Sequence, residues 1–306
     1  KWMEEIKQKG PYDLNIWKYN MIDPNETPIP EREENPYIDA FWKWFPEAVK
    51  HMHTFRITGG EPLLSKHTQR VIDYLIENPQ PNLKFAINSN GCPPKDLWKK
   101  FTKSIKKLED SKAIGEFCLY TSAESTGQQA EYSRFGMDWR LFTDNIEYFA
   151  RNTTSKISFM SAFNIYSLPT FKSFLIWVLY LKSTYWGRHQ GNQRILIDIP
   201  YVRNPIFLDV KIANKQLVDD YLKPALKFMQ QNTEHYGFKE VETAKLERIV
   251  SDIEYRLNNK DDFWKEQQEA QKMFYNFTEQ YDKRRDVNFV KVFPEYEQFL
   301  EICKNV

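Results

Sequence analysis

What this chain lacks narrows its chemistry first. Three cysteines, Cys92, Cys118 and Cys303, are scattered through 306 residues, and no two form a C-x-x-C pair. A sparse, odd number argues against a disulfide framework and fits a reducing, cytoplasmic setting. No apolar run approaches the roughly 20 residues that a membrane-spanning helix needs. The nearest, Phe171 to Leu181, is broken by Lys172 and reads as a buried helix. Neither sign of charge is in excess: 43 Lys and Arg face 42 Asp and Glu, a net +1, which argues against a dedicated nucleic-acid binder. The local basic patches Lys99–Lys100, Lys103, Lys106–Lys107 and Lys283–Arg285 read as solvated helix faces. No Ser/His/Asp ordering, H-E-x-x-H or P-loop is present. The histidines add little: His51 and His53 fall before a strand, at the end where parallel α/β folds place stability rather than catalysis, and His67, His189 and His235 are isolated.

Aromatic residues are abundant, with 22 Phe, 17 Tyr and 9 Trp to fill a core. The mean hydropathy of −0.67 and 28% charged residues imply a well-solvated exterior, hence a soluble globular protein with no membrane partner. The first residue is Lys1, and Lys1 to Lys7 reads as the middle of a helix, so the natural start is expected upstream. A polar, Pro-rich stretch, Asp23 to Pro36, reads as an irregular surface insertion, and Tyr37 to Val49 as an aromatic helix.

From there strands and helices alternate. Strands are predicted over Thr54–Thr58, Leu83–Asn88, Gly115–Tyr120, Lys156–Ala162 and Arg194–Ile199, the last after a Gly-rich turn over Gly187 to Gly191. Helices are predicted over Leu63–Glu77, Lys95–Leu108, Trp139–Arg151 and Thr170–Lys182. Strands alternating with helices of this length imply βαβ units and a parallel sheet. From Lys215 the strand signals fade, and helical patterns cover Leu217–Gln231, Thr243–Leu257, Asp261–Tyr281 and Tyr296–Lys304. Two parts follow: an α/β part over 1–214 and a helical C-terminal extension over 215–306.

In parallel α/β folds ligands bind beyond the carboxyl ends of the strands. The first such segment is Thr58-Gly59-Gly60-Glu61-Pro62. Two glycines let backbone approach a ligand closely, Pro62 suits the first turn of a helix, and Glu61 could hold a ligand ammonium group. The same residues also suit an ordinary strand–turn–helix connection.

Thr58-Gly59-Gly60-Glu61-Pro62-Leu63-Leu64, placed after a hydrophobic strand, resembles the GGEP motif of radical S-adenosylmethionine (SAM) enzymes. In that family the motif follows the second barrel strand and binds the SAM amino group. Ile87-Asn88-Ser89-Asn90-Gly91 resembles the family's Thr-Asn-Gly segment, which points to Ser89 and Asn90. Leu119-Tyr120-Thr121-Ser122-Ala123-Glu124 occupies the place of the fourth-strand segment and points to Ser122 and Glu124 as cofactor-binding residues, although Ala123 and Glu124 depart from its usual pattern. Glu131-Tyr132-Ser133-Arg134-Phe135-Gly136, followed by Trp139, Phe142 and Asn145, resembles members with a SPASM or twitch extension. Arg134 becomes the candidate for the SAM carboxylate, by bidentate geometry; a surface pair with Glu131 is the plain alternative. By position, Asn164 is assigned to the ribose or carboxylate of SAM and Pro200-Tyr201 to the flanks of the adenine. The stretch Phe274 to Cys303, with Asp282, Arg284-Arg285, Asn288-Phe289 and Phe293-Pro294-Glu295, is similar to the tail of phage and bacterial members of this branch.

The resemblance implies a partial (β/α)6 TIM-type barrel, with its first strand and cluster loop upstream of Lys1. It implies a [4Fe–4S] cluster held by a C-x-x-x-C-x-x-C loop, of which this chain has none. Cys92 and Cys118 then read as buried small hydrophobes, and the second strand is expected to present an unpaired edge, an aggregation hazard. The implied reaction is reductive cleavage of SAM to methionine and a 5′-deoxyadenosyl radical. A reductant such as flavodoxin or ferredoxin would supply the electron, and a peptide or protein is the implied substrate. The fragment alone is expected to be inactive. The reading from a different class is a non-catalytic barrel that binds a ligand or partner, with the Glu- and Lys-rich tail as its contact surface. A third is another barrel enzyme using Glu61 or Glu124 as acid or base.

Overall fold

The structure, a computed structural model, describes residues 2–14, 18–19, 35–186 and 193–306. Most of the stretch Asp23 to Pro36, the turn Gly187 to Gly191 and His189 therefore lie outside the described residues.

Helix α1 (Trp2–Lys9) leads to a short antiparallel pair, β1 (Tyr12–Asp13) and β2 (Lys18–Tyr19), which the sequence pattern did not reveal. Helix α2 (Pro36–Ala48) starts where the Asn35 side chain accepts from the Tyr37 N–H at 3.1 Å, with Pro36 at its first position. The regular alternation follows: β3 (Thr54–Ile57), α3 (Lys66–Glu77), β4 (Gln80–Ser89), α4 (Lys95–Asp110) and β5 (Ile114–Thr121). Next come α5 (Gly127–Ser133), α6 (Trp139–Asn152), β6 (Lys156–Met160), α7 (Leu168–Thr184) and β7 (Ile195–Asp198). Helix α5 falls between the predicted strand Gly115–Tyr120 and the predicted helix Trp139–Arg151, where no helix was predicted. Helix α3 begins later than predicted, because Ser65 is extended and its hydroxyl accepts from the His67 N–H; Pro62–Leu64 form a separate 3-10 turn.

Strands β3 to β7 form one parallel sheet in chain order. The helices between them touch in series. Gln69 of α3 donates to Ser104 of α4 at 3.1 Å, Phe101 of α4 stacks on Phe149 of α6 at 5.8 Å, and Trp139 of α6 meets Trp177 of α7 at 5.6 Å. Sequential strands with neighbouring helices in one row are the mark of a singly wound α/β layer. The described residues do not close this layer into a barrel: β3 and β7 are its edges. Because the His53 carbonyl accepts from the Lys84 N–H, the alternate residues Thr54, Arg56 and Thr58 turn their backbone groups to the outer edge of β3.

The register fixes two faces. Phe55, Phe85 and Phe117 point toward the helices, where Phe55 and Phe85 stack at 6.0 Å and Phe85 meets Phe117 edge-on at 5.4 Å. Alternation then places Arg56, Lys84, Asn88, Glu116, Tyr120 and Lys156 on the opposite face.

Beyond position 214, α8 (Lys215–Leu217) runs through a π turn, Val218–Leu222, into α9 (Lys223–Gln231). The wide turn comes just before Pro224, which has no N–H to donate to an i−4 carbonyl. Then follow α10 (Glu240–Asn258), α11 (Lys260–Arg285), α12 (Phe289–Val292) and α13 (Glu297–Asn305). No strand occurs among the described residues of this part. The helices share one hydrophobic core with the sheet layer. A buried ion pair, Lys182 of α7 to Glu242 of α10 at 2.8 Å, fastens the two, and Glu242 also accepts from the Ile197 N–H of β7 at 2.9 Å. No helix among the described residues is long and apolar enough to cross a membrane.

Candidate functional site

The residues singled out in the sequence lie at the carboxyl ends of successive strands, where the parallel sheet directs its loops. The structure gathers them into three groups.

The first group joins the ends of β3 and β4. Gly59 and Gly60 both adopt positive φ, +98° and +55°, and a Cβ at either would meet open space. A side chain there would be strained by backbone conformation alone, while the peptide itself remains approachable. Glu61 then turns its carboxylate across to β4. Its Oε1 accepts from the Ser89 hydroxyl at 2.9 Å and from the Leu63 N–H at 3.2 Å, and its Oε2 accepts from the Asn90 N–H at 2.7 Å. Three of the four or so lone-pair positions of a carboxylate are thereby filled, leaving room for one further donor. Asn90 closes the turn by accepting from the Cys92 N–H at 2.8 Å. Gly91 has φ +75°, and a Cβ there would stand 2.5 Å from Phe142 Cδ2, so only glycine fits. The Asn145 amide, donating to the Gly91 and Pro93 carbonyls at 3.1 and 3.0 Å, fixes the loop from α6.

Thr58, Gly59 and Pro62 also border a groove of about 510 Å³ walled by Phe41, Trp42 and Phe55. That volume is in the range of small-molecule sites. Two buried polar atoms on groove-lining residues, Trp42 Nε1 and His67 Nδ1, have no hydrogen-bond partner among the described residues. Native interiors rarely leave such groups unpaired.

The second group lies after β5. Ser122 is half-buried. Glu124 is only 3% exposed and takes both arms of a fork from Arg134: Nε to Oε1 at 2.8 Å, and Nη2 to Oε2. Burial raises the Glu124 pKa above the usual carboxylate value, and Arg134 opposes that rise. The partner of Arg134 is therefore Glu124 and not Glu131, whose carboxylate instead accepts from the Trp139 N–H at 2.9 Å. The bidentate edge assigned to a ligand carboxylate is occupied within the protein, and the Nη1 hydrogens and the second Nη2 hydrogen have no partner among the described residues.

The third group follows β6 and β7. Asn164 is buried and engaged in its own turn: Oδ1 accepts from the Tyr166 N–H at 2.9 Å, Nδ2 donates to the Ala162 carbonyl at 2.9 Å, and its N–H donates to Ser167 Oγ. This is a capping arrangement, which leaves one Nδ2 hydrogen without a partner among the described residues. Tyr201 bridges to Phe163 in parallel, with the Pro200 carbonyl accepting from the Phe163 N–H at 2.7 Å. The Tyr201 ring already carries the Arg203 guanidinium at 4.7 Å and the Lys211 ammonium at 5.5 Å. Pro200 and Tyr201 thus stitch the ends of two strands together.

The cysteines do not converge. Cys92 is half-buried, its thiol donating to the Asp138 carbonyl at 3.6 Å; Cys118 lies on β5, and Cys303 is buried in α13. Burial raises all three thiols, Cys118 to about 11. High thiol pKa and dispersion make them poor thiolate ligands, so these three residues do not fit an iron–sulfur cluster. Among the described residues no group of three His, Cys, Asp or Glu is placed to hold a metal ion.

Compared with known proteins, the chain matches no family model, no curated protein and no solved structure.

Proposed function

We propose that this chain is the SAM-binding part of a radical SAM enzyme, a partial (β/α)6 barrel whose strand ends carry the ligand site. What supports the reading is the GGEP segment in its geometric setting: Glu61 held by Ser89 and Asn90, beside two glycines with open backbone, at the rim of the groove. A carboxylate oriented by neutral donors presents one open lone-pair position, which suits the ammonium of an amino acid. The peptide groups of Gly59 and Gly60 are placed to meet the rest of that ligand. Within this reading Arg134, oriented by Glu124, offers its remaining Nη donors to the ligand carboxylate. Asn164 and Tyr201 shape the loops that surround the ligand.

The chemistry belongs to SAM and to an iron–sulfur cluster, which would supply the electron for SAM cleavage; the residues present do not fit that cluster, and no step is assigned to them. A reductant of the flavodoxin or ferredoxin type and a peptide or protein substrate complete the proposal.

Titrating SAM against the chain by calorimetry tests the binding half. Glu61→Gln, which keeps a side-chain oxygen but removes the charge, is expected to weaken SAM binding by roughly tenfold or more, the scale of one charge-assisted hydrogen bond. Binding that is absent in the native chain, or indifferent to Glu61→Gln, would remove the support for this reading.

A further inference from the structure

Strand β3 is the edge of the parallel layer and is held less firmly than its neighbours. Thr54 and Arg56 are exposed and Phe55 and Ile57 half-buried, whereas Phe85 and Ile87 on β4 and Phe117 and Leu119 on β5 are buried. The β3–β4 register ends at Ile57–Ile87, while β4 and β5 stay paired two residues further, through Asn88–Tyr120 and Ser89–Thr121. The turn that carries Gly59, Gly60 and Glu61 thus leaves the sheet early, and Glu61 has to reach a Ser89 that β5 still fixes. Arg56 spans this step. On the face turned away from the helices its Nε donates to Asn88 Oδ1 at 2.6 Å, and its guanidinium lies 3.9 Å over the Tyr120 ring. Asn88 and Tyr120 are register partners, so one side chain of the edge strand grips both members of a pair on the two strands beside it.

We infer that Arg56 is a positioning residue for the Glu61 carboxylate: it clamps the end of β3 onto the β4–β5 pair, so that Glu61 meets Ser89 and Asn90. The consequence for binding rests on the reading of Glu61 as the acceptor for the SAM ammonium; the clamp itself does not. Arginine suits the task because a planar guanidinium can lie flat on a ring while giving an in-plane N–H to Asn88, and lysine has no plane to stack. Little slack is available. The Glu61 bonds to Ser89 and Asn90 are 2.9 and 2.7 Å long, and a shift of β3 by about 1 Å takes either out of hydrogen-bonding range.

The test reads the Asn90 amide, whose hydrogen bond to Glu61 forms without ligand. Hydrogen exchange is followed by NMR in the ligand-free chain, with amides inside β4 and β5 as internal standards. Arg56→Met is expected to speed exchange at Asn90 roughly fivefold, the scale of one hydrogen bond, and to leave the standards unchanged. Asn88→Ala, which removes the acceptor, should do the same, and Arg56→Lys should fall between. In calorimetry Arg56→Met is expected to weaken SAM roughly threefold to tenfold, and to add nothing on top of Glu61→Gln, where no carboxylate is left to position. Unchanged Asn90 exchange in folded Arg56→Met and Asn88→Ala proteins overturns the inference whatever SAM does. So does exchange that rises equally at the standards, which is a general loss of stability. Equal weakening of SAM with and without Glu61→Gln also overturns it, since Arg56 would then touch the ligand directly. Faster exchange at Asn90 alone, in a chain that binds no SAM, supports the clamp and removes the SAM reading.

Discussion

Glu242→Leu is expected to cost about 3–5 kcal/mol of stability, the usual loss when one member of a buried ion pair is removed. Glu242 holds three donors: the Lys182 ammonium, the Ile197 N–H and the Lys239 N–H at 2.8 Å. The pair sits almost out of solvent, at 1% and 5% side-chain exposure. Leucine strands a cation and two backbone donors. The pH dependence identifies the cause. Burial already lowers the Lys182 pKa below 10.5, with Glu242 opposing the shift, so the substitution lowers it further. A lysine with a depressed folded pKa destabilises the fold below that pKa and ceases to do so as pH rises through the window up to 10.5. The variant should therefore regain part of its deficit between neutral pH and pH 10, measured as the urea midpoint at each pH. A deficit that is constant across that range would place the loss in packing instead.

Arg134→Met is expected to lower stability by about 3 kcal/mol near neutral pH and by much less near pH 4. The methionine keeps the length of the side chain but leaves the Glu124 carboxylate buried and unpaired. With its arginine gone, nothing opposes the desolvation that raises the Glu124 pKa. An acid whose folded pKa lies above its unfolded value of about 4.5 is tolerated when protonated, so stability is greatest below that value and falls as pH rises toward the folded pKa. Adding Glu124→Gln to Arg134→Met should restore most of the loss at pH 8, because the buried charge disappears. Urea unfolding at pH 4.5 and pH 8 distinguishes this from a simple packing defect, which would show the same deficit at both.

The strand–helix alternation was legible because each element carries its own period. The apolar residues Val71, Ile72 and Leu75, or Phe142, Ile146 and Phe149, line one side of a helix and are buried together. Parallel strands followed for a local reason too: the predicted helices were long enough only for crossover connections. The short pair β1 and β2 was not legible, since two-residue strands have no period. Tyr12 is buried instead by α11, through ring contact with Phe277 at 4.8 Å and hydrogen bonding from Gln280 to the Asp13 carbonyl. Barrel closure was an inference from resemblance; strand periodicity alone does not say whether a sheet's edges meet.

At the site, Glu61, Ser89 and Asn90 were each named by motif, and the structure brings them into one hydrogen-bonded group. Partner choice was harder to read. Arg134 lies three residues from Glu131 in sequence, a spacing that suggests a helical pair. The chain instead turns so that Glu124, ten residues away, receives it. Asn164 and Tyr201 were chosen by position, and position does not reveal that a side chain is engaged in its own turn or already flanked by cations.

The proposed function is tested most directly by expressing the complete reading frame that contains this chain, reconstituting iron and sulfide under anaerobic conditions, and assaying 5′-deoxyadenosine with SAM and dithionite. Radical SAM activity requires about four irons per chain, with deoxyadenosine formed by the native protein and lost in Glu61→Ala. No iron uptake and no SAM turnover would contradict it, and would leave an α/β protein that uses its strand-end loops for binding alone.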